Sequence, residues 1–387
     1  MQKKPFTISI ADDQLTDLDR RLRHTRWPDS MPDMDWEDGT DLTFLRRLTE
    51  YWRTEFDWRA QEARLNAFPQ FVAELDGVGI HFIHQRGTGP DPYPLVITHG
   101  WPGTGFDMEQ LIPLLADPGS HGGDPADAFD VVVPSLPGYG FSQRPTRPGF
   151  GLERVSELWT QLMTGLGYER FGTQSSDWGA AVSMWLASRF PERVSGLHVN
   201  FIPGFYRPPL GDGQPPLSAE EKAFHETAAA WFDAEGAYHR LQSTKPQTPA
   251  YALTDSPAGL AAWIVEKMRG WSDCAGDVER AFTMDAILTN ISIYWFTGTI
   301  GSSMRFYREN RLRPNRFEPG ARVLPPMGVA LFPQDTMPPR SWVHRVFDVT
   351  RWTTMPRGGH LGAMEAPEPL AEEIREFFRP LRGGHVS

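Results

Sequence analysis

Cysteine is nearly absent: Cys274 is the only one in 387 residues, so no internal disulfide forms and cysteine-rich zinc sites are excluded. Long apolar runs are missing too. No window approaches the ~18 uninterrupted apolar residues of a membrane-spanning helix. At the amino end, "MQKKPFTISIADDQ" breaks its apolar run at Ala11, before two aspartates, which is too short for a secretory signal core. The glycosylation-type triplet "NIS" at 290–292 then has no expected use, and a cytoplasmic location without a membrane anchor is expected. Positive charge is in deficit. A formal net charge of −11 argues against nucleic acid or an anionic membrane as partner, because both present phosphates and call for a basic face. The nucleotide-binding patterns GxGxxG and GxxxxGK are absent, as is any zinc-type spacing among the scattered histidines. No metal or organic cofactor is expected. Nothing in the sequence sets the oligomeric state.

What is present is the composition of a folded enzyme, 40% hydrophobic and 22% charged. The length suits one large domain with an insertion, or two domains. Residues 1–90 read as a mostly helical region wrapping the core. "ADDQLTDLDRRLRHTRW" places Leu15, Leu18 and Leu22 on one helical face, and "DLTFLRRLTEYWRTEF" and "DWRAQEARLNAF" continue in that style. Trp27, Trp36, Trp52 and Trp58 are expected to pack against another part of the chain. "FVAELDGVGIHFIHQ" reads as a hairpin turning at Asp76-Gly77. Its two histidines lie three apart on a strand, so they face opposite sides and do not form a metal pair.

Residues 91–205 change character. "PLVITHG", "FDVVVPSLPG", "RFGTQSSD" and "VSGLHVNF" are short apolar runs separated by helical segments such as "LERVSELWTQLMTGLG". That is the pattern of a buried parallel sheet covered on both faces by helices. Residues 206–311 shift to Pro-rich loops and long helical stretches, expected to form a cap. Strand-like runs resume within 312–387 at "GVALFP" and "HRVFDVTRW", and "PEPLAEEIREFFRPL" is a closing helix. The expected fold class is α/β, a mostly parallel central sheet interrupted by a helical insertion.

Within that frame "QSSDWGA" sits at a strand–turn–helix junction, where a sharp turn lifts one residue above the sheet. Such a turn needs small residues two positions before and two after the lifted one. Asp177 has Ser175 and Gly179 there. Ser176 has Gln174 and Trp178, which are too large, and Ser175 lies too far inside the strand. An aspartate suits a different chemistry from a serine: with a reference pKa near ~3.9 it is anionic at neutral pH and attacks an sp3 carbon without a base.

"HGWPG" at 99–103, "DWG" at 177–179 and "RGGHLGAMEAPE" at 357–368 together resemble the α/β-hydrolase-fold epoxide hydrolases, above all the microsomal type with its N-terminal helical region. "TRWPD", "QSTKP", "DSPAGLAAWI" and "LTNISIYWFTGTIGSSMRFYREN" extend the likeness over nearly the whole chain. The family elbow reads Gly-Gly-Asp-Trp-Gly, whereas Ser175 and Ser176 precede the aspartate here and crowd the turn. The hydrophobic anchor helix of membrane-bound members is missing from this sequence.

The resemblance implies conversion of a small-molecule epoxide and water to a vicinal diol, with Asp177 as nucleophile and His360 as general base. Asp335, after "GVALFP", falls at the position of the acid that orients the histidine, with Asp348 and Glu365 as competitors. The backbone N–H groups of Trp101 and Trp178 would form the oxyanion hole, and a cis peptide is expected before Pro102. Tyr238 and Tyr307 fall on the two cap tyrosines that hydrogen-bond the epoxide oxygen, with Tyr294 as substitute. Phe205, Trp231, Phe232, Trp263, Trp295 and Phe296 are expected to roof the site and to suit a bulky, apolar or aromatic epoxide. Alternatives are a haloalkane dehalogenase built on the same aspartate, which needs no phenol pair, and a non-catalytic binding protein of the same fold. A serine esterase is disfavoured because neither serine occupies the elbow.

Overall fold

The computed structural model describes the chain except residues 205, 212, 315, 336–337 and 385–387. Phe205 therefore lies outside the described residues. Nine strands form one sheet: β1 (Lys3–Pro5), β2 (Gln70–Leu75), β3 (Val78–Gln85), β4 (Tyr93–Thr98), β5 (Phe129–Pro134), β6 (Phe171–Ser175), β7 (Val194–Val199), β8 (Val323–Leu331) and β9 (Phe347–Thr354). Their spatial order is β1-β2-β3-β5-β4-β6-β7-β8-β9. The pairs β1/β2, β2/β3 and β3/β5 are antiparallel, and every pair from β5 to β9 is parallel.

The β2–β3 hairpin closes on a two-residue turn with positive φ at Asp76 (51°) and Gly77 (75°). Those are the residue types that enter the left-handed region at least cost. The central strands are buried on both faces: β5 has no accessible residue, and Leu95, Val96 and Ile97 of β4 are fully covered. Each aliphatic side chain so buried contributes about 1.5–3 kcal/mol of transfer free energy. The helix Leu152–Gly165 turns Leu152, Val155, Leu158, Trp159 and Leu162 inward. Its Trp159 indole donates to Thr98 Oγ1 at 3.1 Å, fixing the end of β4.

Between β7 and β8 stand the insertion helices Ala219–Glu235, Ala237–Thr244, Gln247–Asp255, Pro257–Trp271, Met284–Thr297 and Ile300–Leu312. The N-terminal helices Leu42–Thr54 and Trp58–Leu65, capped by Asp41 and Asp57, pack against them. Trp58 meets Phe296 at 4.9 Å and Tyr51 donates to Asp285 at 3.0 Å. No described helix is long and apolar enough to cross a membrane.

The edge strand β1 has no counterpart in the sequence reading, since three residues beginning with two lysines carry no alternation to detect. Strand β8 starts earlier than "GVALFP" suggests and takes Pro325 and Pro326 into its irregular first half, where its register with β9 shifts. A β-bulge is where a strand tolerates proline.

Candidate active site

Four loops at the carboxyl ends of parallel strands converge on one point, as this sheet type dictates. The loop after β4 carries His99 to Pro102, the turn after β6 carries Asp177, the loop after β8 carries Asp335, and the loop after β9 carries His360.

Asp177 opens the helix Asp177–Arg189 with φ of 50°, a left-handed conformation that costs a non-glycine residue about 1 kcal/mol or more. Close packing holds it there. A Cβ on Gly179 would stand 2.0 Å from the Thr98 carbonyl oxygen, and one on Gly100 would stand 2.2 Å from Asp177 Oδ1. Ser175, where the family has glycine, fits because its hydroxyl turns away and donates to Ser183 Oγ at 2.8 Å. Ser176 Oγ donates to the His360 carbonyl at 3.3 Å, so both serines serve the scaffold.

The Trp101 N–H donates to Asp177 Oδ1 at 2.7 Å, and the Trp101–Pro102 peptide is cis. Two side chains of the helix Met284–Thr297 pin this loop from above: Asn290 Nδ2 donates to the Pro102 carbonyl at 2.9 Å and Tyr294 to the Gly103 carbonyl at 2.8 Å. The Tyr294 hydroxyl is therefore committed to backbone and does not replace either cap tyrosine. The backbone of Trp178 lies in the first turn of the helix behind Asp177, where N–H groups lack intrahelical acceptors.

His360 sits between two carboxylates. Its Nε2 is 3.4 Å from Asp177 Oδ2 and its Nδ1 is 3.0 Å from Asp335 Oδ2. Burial, the largest single influence, pulls its pKa down, but the charge of Asp335 and the hydrogen bonds and charge of Asp177 together outweigh it and hold the ring up to about 10. Asp348 is exposed on β9. Glu365 is buried nearby, but it accepts the backbone N–H of Asp273 at 2.7 Å and of Leu361 at 3.1 Å and shapes the His360 loop rather than the ring.

Tyr238, from the helix Ala237–Thr244, stacks on the Trp101 ring at 5.4 Å, and Tyr307, from Ile300–Leu312, meets the Trp178 ring edge-on at 4.8 Å. Their own rings are 6.1 Å apart. Burial first, then neighbouring groups including the Asp177 charge, raise both phenols well above their ordinary range, so both are donors at neutral pH.

These groups face a cavity of about 80 Å³ whose apolar walls include Phe201, Phe224, Trp231, Phe232 and Trp271. Of the aromatics expected to roof the site, Trp231 and Phe232 do so. Trp263, Trp295 and Phe296 do not. Trp263 donates to Gln242 within the insertion, while Trp295 lies under Arg21 and Phe296 packs on Trp58, both toward the N-terminal helices. Sequence reasoning missed Trp271, whose ring is 5.1 Å from His360 and whose carbonyl accepts the His360 N–H at 2.9 Å. Below it, Asp273 Oδ2 accepts the Gly358 N–H at 3.0 Å. Behind Asp177 lies a second, small cavity of about 20 Å³, lined by Asp107, Gln174, Asn200 and His360, room for about one water. Asp107 was also missed, although "TGFD" is a legible capping box; burial raises its carboxyl to about 7. No group of described residues could hold a metal ion.

A parallel sheet with an elbow aspartate, a histidine and a second carboxylate on successive strand-end loops defines an α/β hydrolase, and residues 93–203 match the family model described as alpha/beta hydrolase fold. Residues 3–108 match a second model, epoxide hydrolase N terminus. A protein of Stigmatella aurantiaca is 45% identical, with 98% of this chain and 85% of that one aligned. Epoxide hydrolase 1 of Oryctolagus cuniculus is 36% identical over 97% of this chain and 88% of its own. The solved structure of Aspergillus niger epoxide hydrolase superposes with a TM-score of 0.84 at 32% identity, covering 98% of this chain and 97% of that one. The chain belongs to the epoxide hydrolases.

Proposed function

We propose that the protein opens an epoxide through a covalent ester on Asp177, under a cap formed by residues 206–311. Asp177 Oδ1 stays on the Trp101 N–H while Oδ2 attacks an oxirane carbon. The C–O bond breaks, the ester C–O bond forms, and the departing oxygen takes a proton from Tyr238 or Tyr307. A water from the small cavity behind the elbow then adds to the Asp177 carbonyl carbon and gives a proton to His360, which Asp335 orients. The Trp101 and Trp178 N–H groups carry the negative charge on Oδ1. Collapse releases the product alkoxide, which takes back the proton held by His360 to give the diol, while the carboxylic acid so formed at Asp177 gives its proton to the tyrosinate, restoring carboxylate and phenol.

The observation that carries this reading is the placement of one carboxylate between an N–H at 2.7 Å and an imidazole at 3.4 Å, opposite two buried phenols. The apolar walls support a bulky, apolar or aromatic group on the epoxide. The test is single turnover of styrene oxide by His360→Gln, followed by intact-protein mass spectrometry. An adduct of substrate mass mapping to Asp177 is expected, while the unaltered enzyme releases diol. An adduct on Ser175 or Ser176 would sink the mechanism.

A further inference from the structure

The small cavity behind the elbow is polar where the catalytic cavity is apolar. Three buried polar atoms of the side chains around it lack a full hydrogen bond among the described residues. His360 Nε2 has only the 3.4 Å approach to Asp177 Oδ2. Asp107, 8% exposed, accepts the Thr104 N–H at 3.1 Å through Oδ1, and no described donor reaches Oδ2. That oxygen lies where a Cβ on Gly103 would come within 1.8 Å, so glycine at 103 is what admits it. Asn200, 2% exposed, accepts from Gln174 Nε2 at 2.9 Å through Oδ1, and its Nδ2 reaches no described acceptor. Buried polar groups are almost always paired, and a polar pocket of this size suits one water with about two to four partners. A capping role explains only half of Asp107, because a cap needs one oxygen, which asparagine would supply as well. Burial pushes its carboxyl up to about 7, against the pull of the Thr104 N–H and the His360 charge.

The direction in which Asn200 faces is set from the strands. Gln174 of β6 and His198 of β7 are register partners, and Asn200, two residues on, follows the face of His198. Gly328, the partner of His198 on β8, makes room for the ring, since a Cβ there would stand 2.8 Å from His198 Cδ2. Burial lowers the His198 pKa, so the ring is neutral and carries a single proton. Its Nδ1 is 2.5 Å from Gln174 Oε1, which can only accept, so the proton sits on Nδ1. Its Nε2 faces Glu373 at 3.9 Å, a carboxylate that Arg351 already holds with bonds of 2.7 and 2.8 Å. With Oε1 so engaged, Gln174 turns its amide N–H to Asn200, and Asn200 turns its own to the cavity.

We propose that Asp107 and Asn200 hold the water that hydrolyses the ester, and that Gln174 and His198 are positioning residues that keep the Asn200 amide donating to it. The proposal rests on the reading of Asp177 as the group that carries the ester. Asn200 Nδ2 donates to one lone pair of the water and leaves the other for the Asp177 carbonyl carbon. One O–H points at His360 Nε2 and gives up its proton there. The other is held by Asp107 Oδ2 and stays on the oxygen as the new C–O bond forms and the carbonyl π pair moves to Oδ1.

The test follows a single turnover of styrene oxide by the full chain, with rapid quench and mass spectrometry reading alkylation and ester hydrolysis separately. Asp107→Asn keeps the cap and the volume but turns an acceptor into a donor, and Asn200→Ala removes the donor. Each is expected to slow hydrolysis by about 10²-fold, the cost of misplacing a reacting group by about 1 Å, with alkylation changed by less than about threefold. Their combination is expected to slow it by about 10³-fold rather than the roughly 10⁴-fold of independent defects, because both act on one water. Gln174→Met is expected to slow hydrolysis by about tenfold, and to add nothing in the Asn200→Ala background, as a group acting through Asn200 must. Either single variant decides if the other does not fold. Parental hydrolysis in a folded single variant overturns the proposal. So does equal slowing of both steps, or effects that multiply in full. If His360→Gln forms no ester on Asp177, the Asp177 reading fails instead, a result distinct from an ester that forms and clears normally in Asp107→Asn.

Discussion

Replacing Asp335 with asparagine separates the two halves of the reaction. In the resting enzyme His360 stands at about 10, with Asp335 at 3.0 Å and Asp177 at 3.4 Å. A unit charge about 4 Å away, at an effective dielectric near 20, contributes about 4 kcal/mol, or roughly 3 pKa units at about 1.36 kcal/mol each. Esterification of Asp177 removes one such charge, so His360 falls well below its resting value in the intermediate and becomes a base when one is needed. In Asp335→Asn the second charge is gone as well, so the imidazole of the ester falls further and is a weaker base. Ester hydrolysis is then expected to slow by about 10²–10⁴-fold, while alkylation, which draws on Asp177 and the tyrosines, changes by less than about tenfold. Hydrolysis in the unaltered enzyme rises with pH as the imidazole gives up its proton, because the base form is the active one; in the variant that rise moves to lower pH, since a negative charge that held the proton is gone. Rapid quench of a single turnover with mass spectrometry reads both steps, and the ester is expected to accumulate in the variant. Equal slowing of both steps, or unchanged hydrolysis, would refute the electrostatic argument.

Tyr238→Phe and Tyr307→Phe are each expected to lower the alkylation rate by about 10–100-fold and together by about 10³-fold or more, with ester hydrolysis little changed in the same quench experiment. Gly179→Ala places a methyl 2.0 Å from the Thr98 carbonyl oxygen; urea melts are expected to show a loss of about 2 kcal/mol or more, and activity falls as the elbow shifts. Arg345→Met leaves Glu221, 2% exposed, with its charge unpaired, and a loss of about 2–4 kcal/mol is expected. The Arg345 hydrogen bond is the largest of the influences that hold Glu221 at about 2, below an unfolded value near ~4.3. The contribution is therefore complete above about pH 4.3 and lost as pH falls toward 2, so the gap between variant and parent in urea midpoint narrows over that window.

The elbow was legible because its constraint is local. Two small residues flanking Asp177 follow from the turn itself, and the 2.0 Å approach at Gly179 is the reason. The meeting of His360 and Asp335 with it was legible through strand order, since loops after consecutive parallel strands open on the same edge. Which cap aromatics face the cavity was not. The helix Met284–Thr297 is buried over most of its length, so apolar periodicity does not say which side looks inward, and Trp295 and Phe296 turn to the N-terminal helices. Trp271 escaped for a related reason: it closes a helix, and beside the wall its ring makes, its hold on the His360 loop is a backbone carbonyl, which no side-chain pattern encodes.

That carbonyl has a consequence for how such enzymes diversify. Trp271 ends an insertion helix, yet it grips the His360 N–H, while Asp273 grips Gly358 and a Cβ on Gly359 would meet the Trp271 oxygen at 2.4 Å. The helix that shapes the ceiling and the loop that carries the histidine are stitched together over a distance of one hydrogen bond. A chimera that exchanges residues 206–311 between relatives while keeping the recipient's 357–365 retains that stitch only if the incoming segment sets a carbonyl and a carboxylate where those of Trp271 and Asp273 stand. Recombination that moves the two segments as one inherited unit preserves it, so the breeding of new specificities has two coupled loci here, far apart in the chain and adjacent in space.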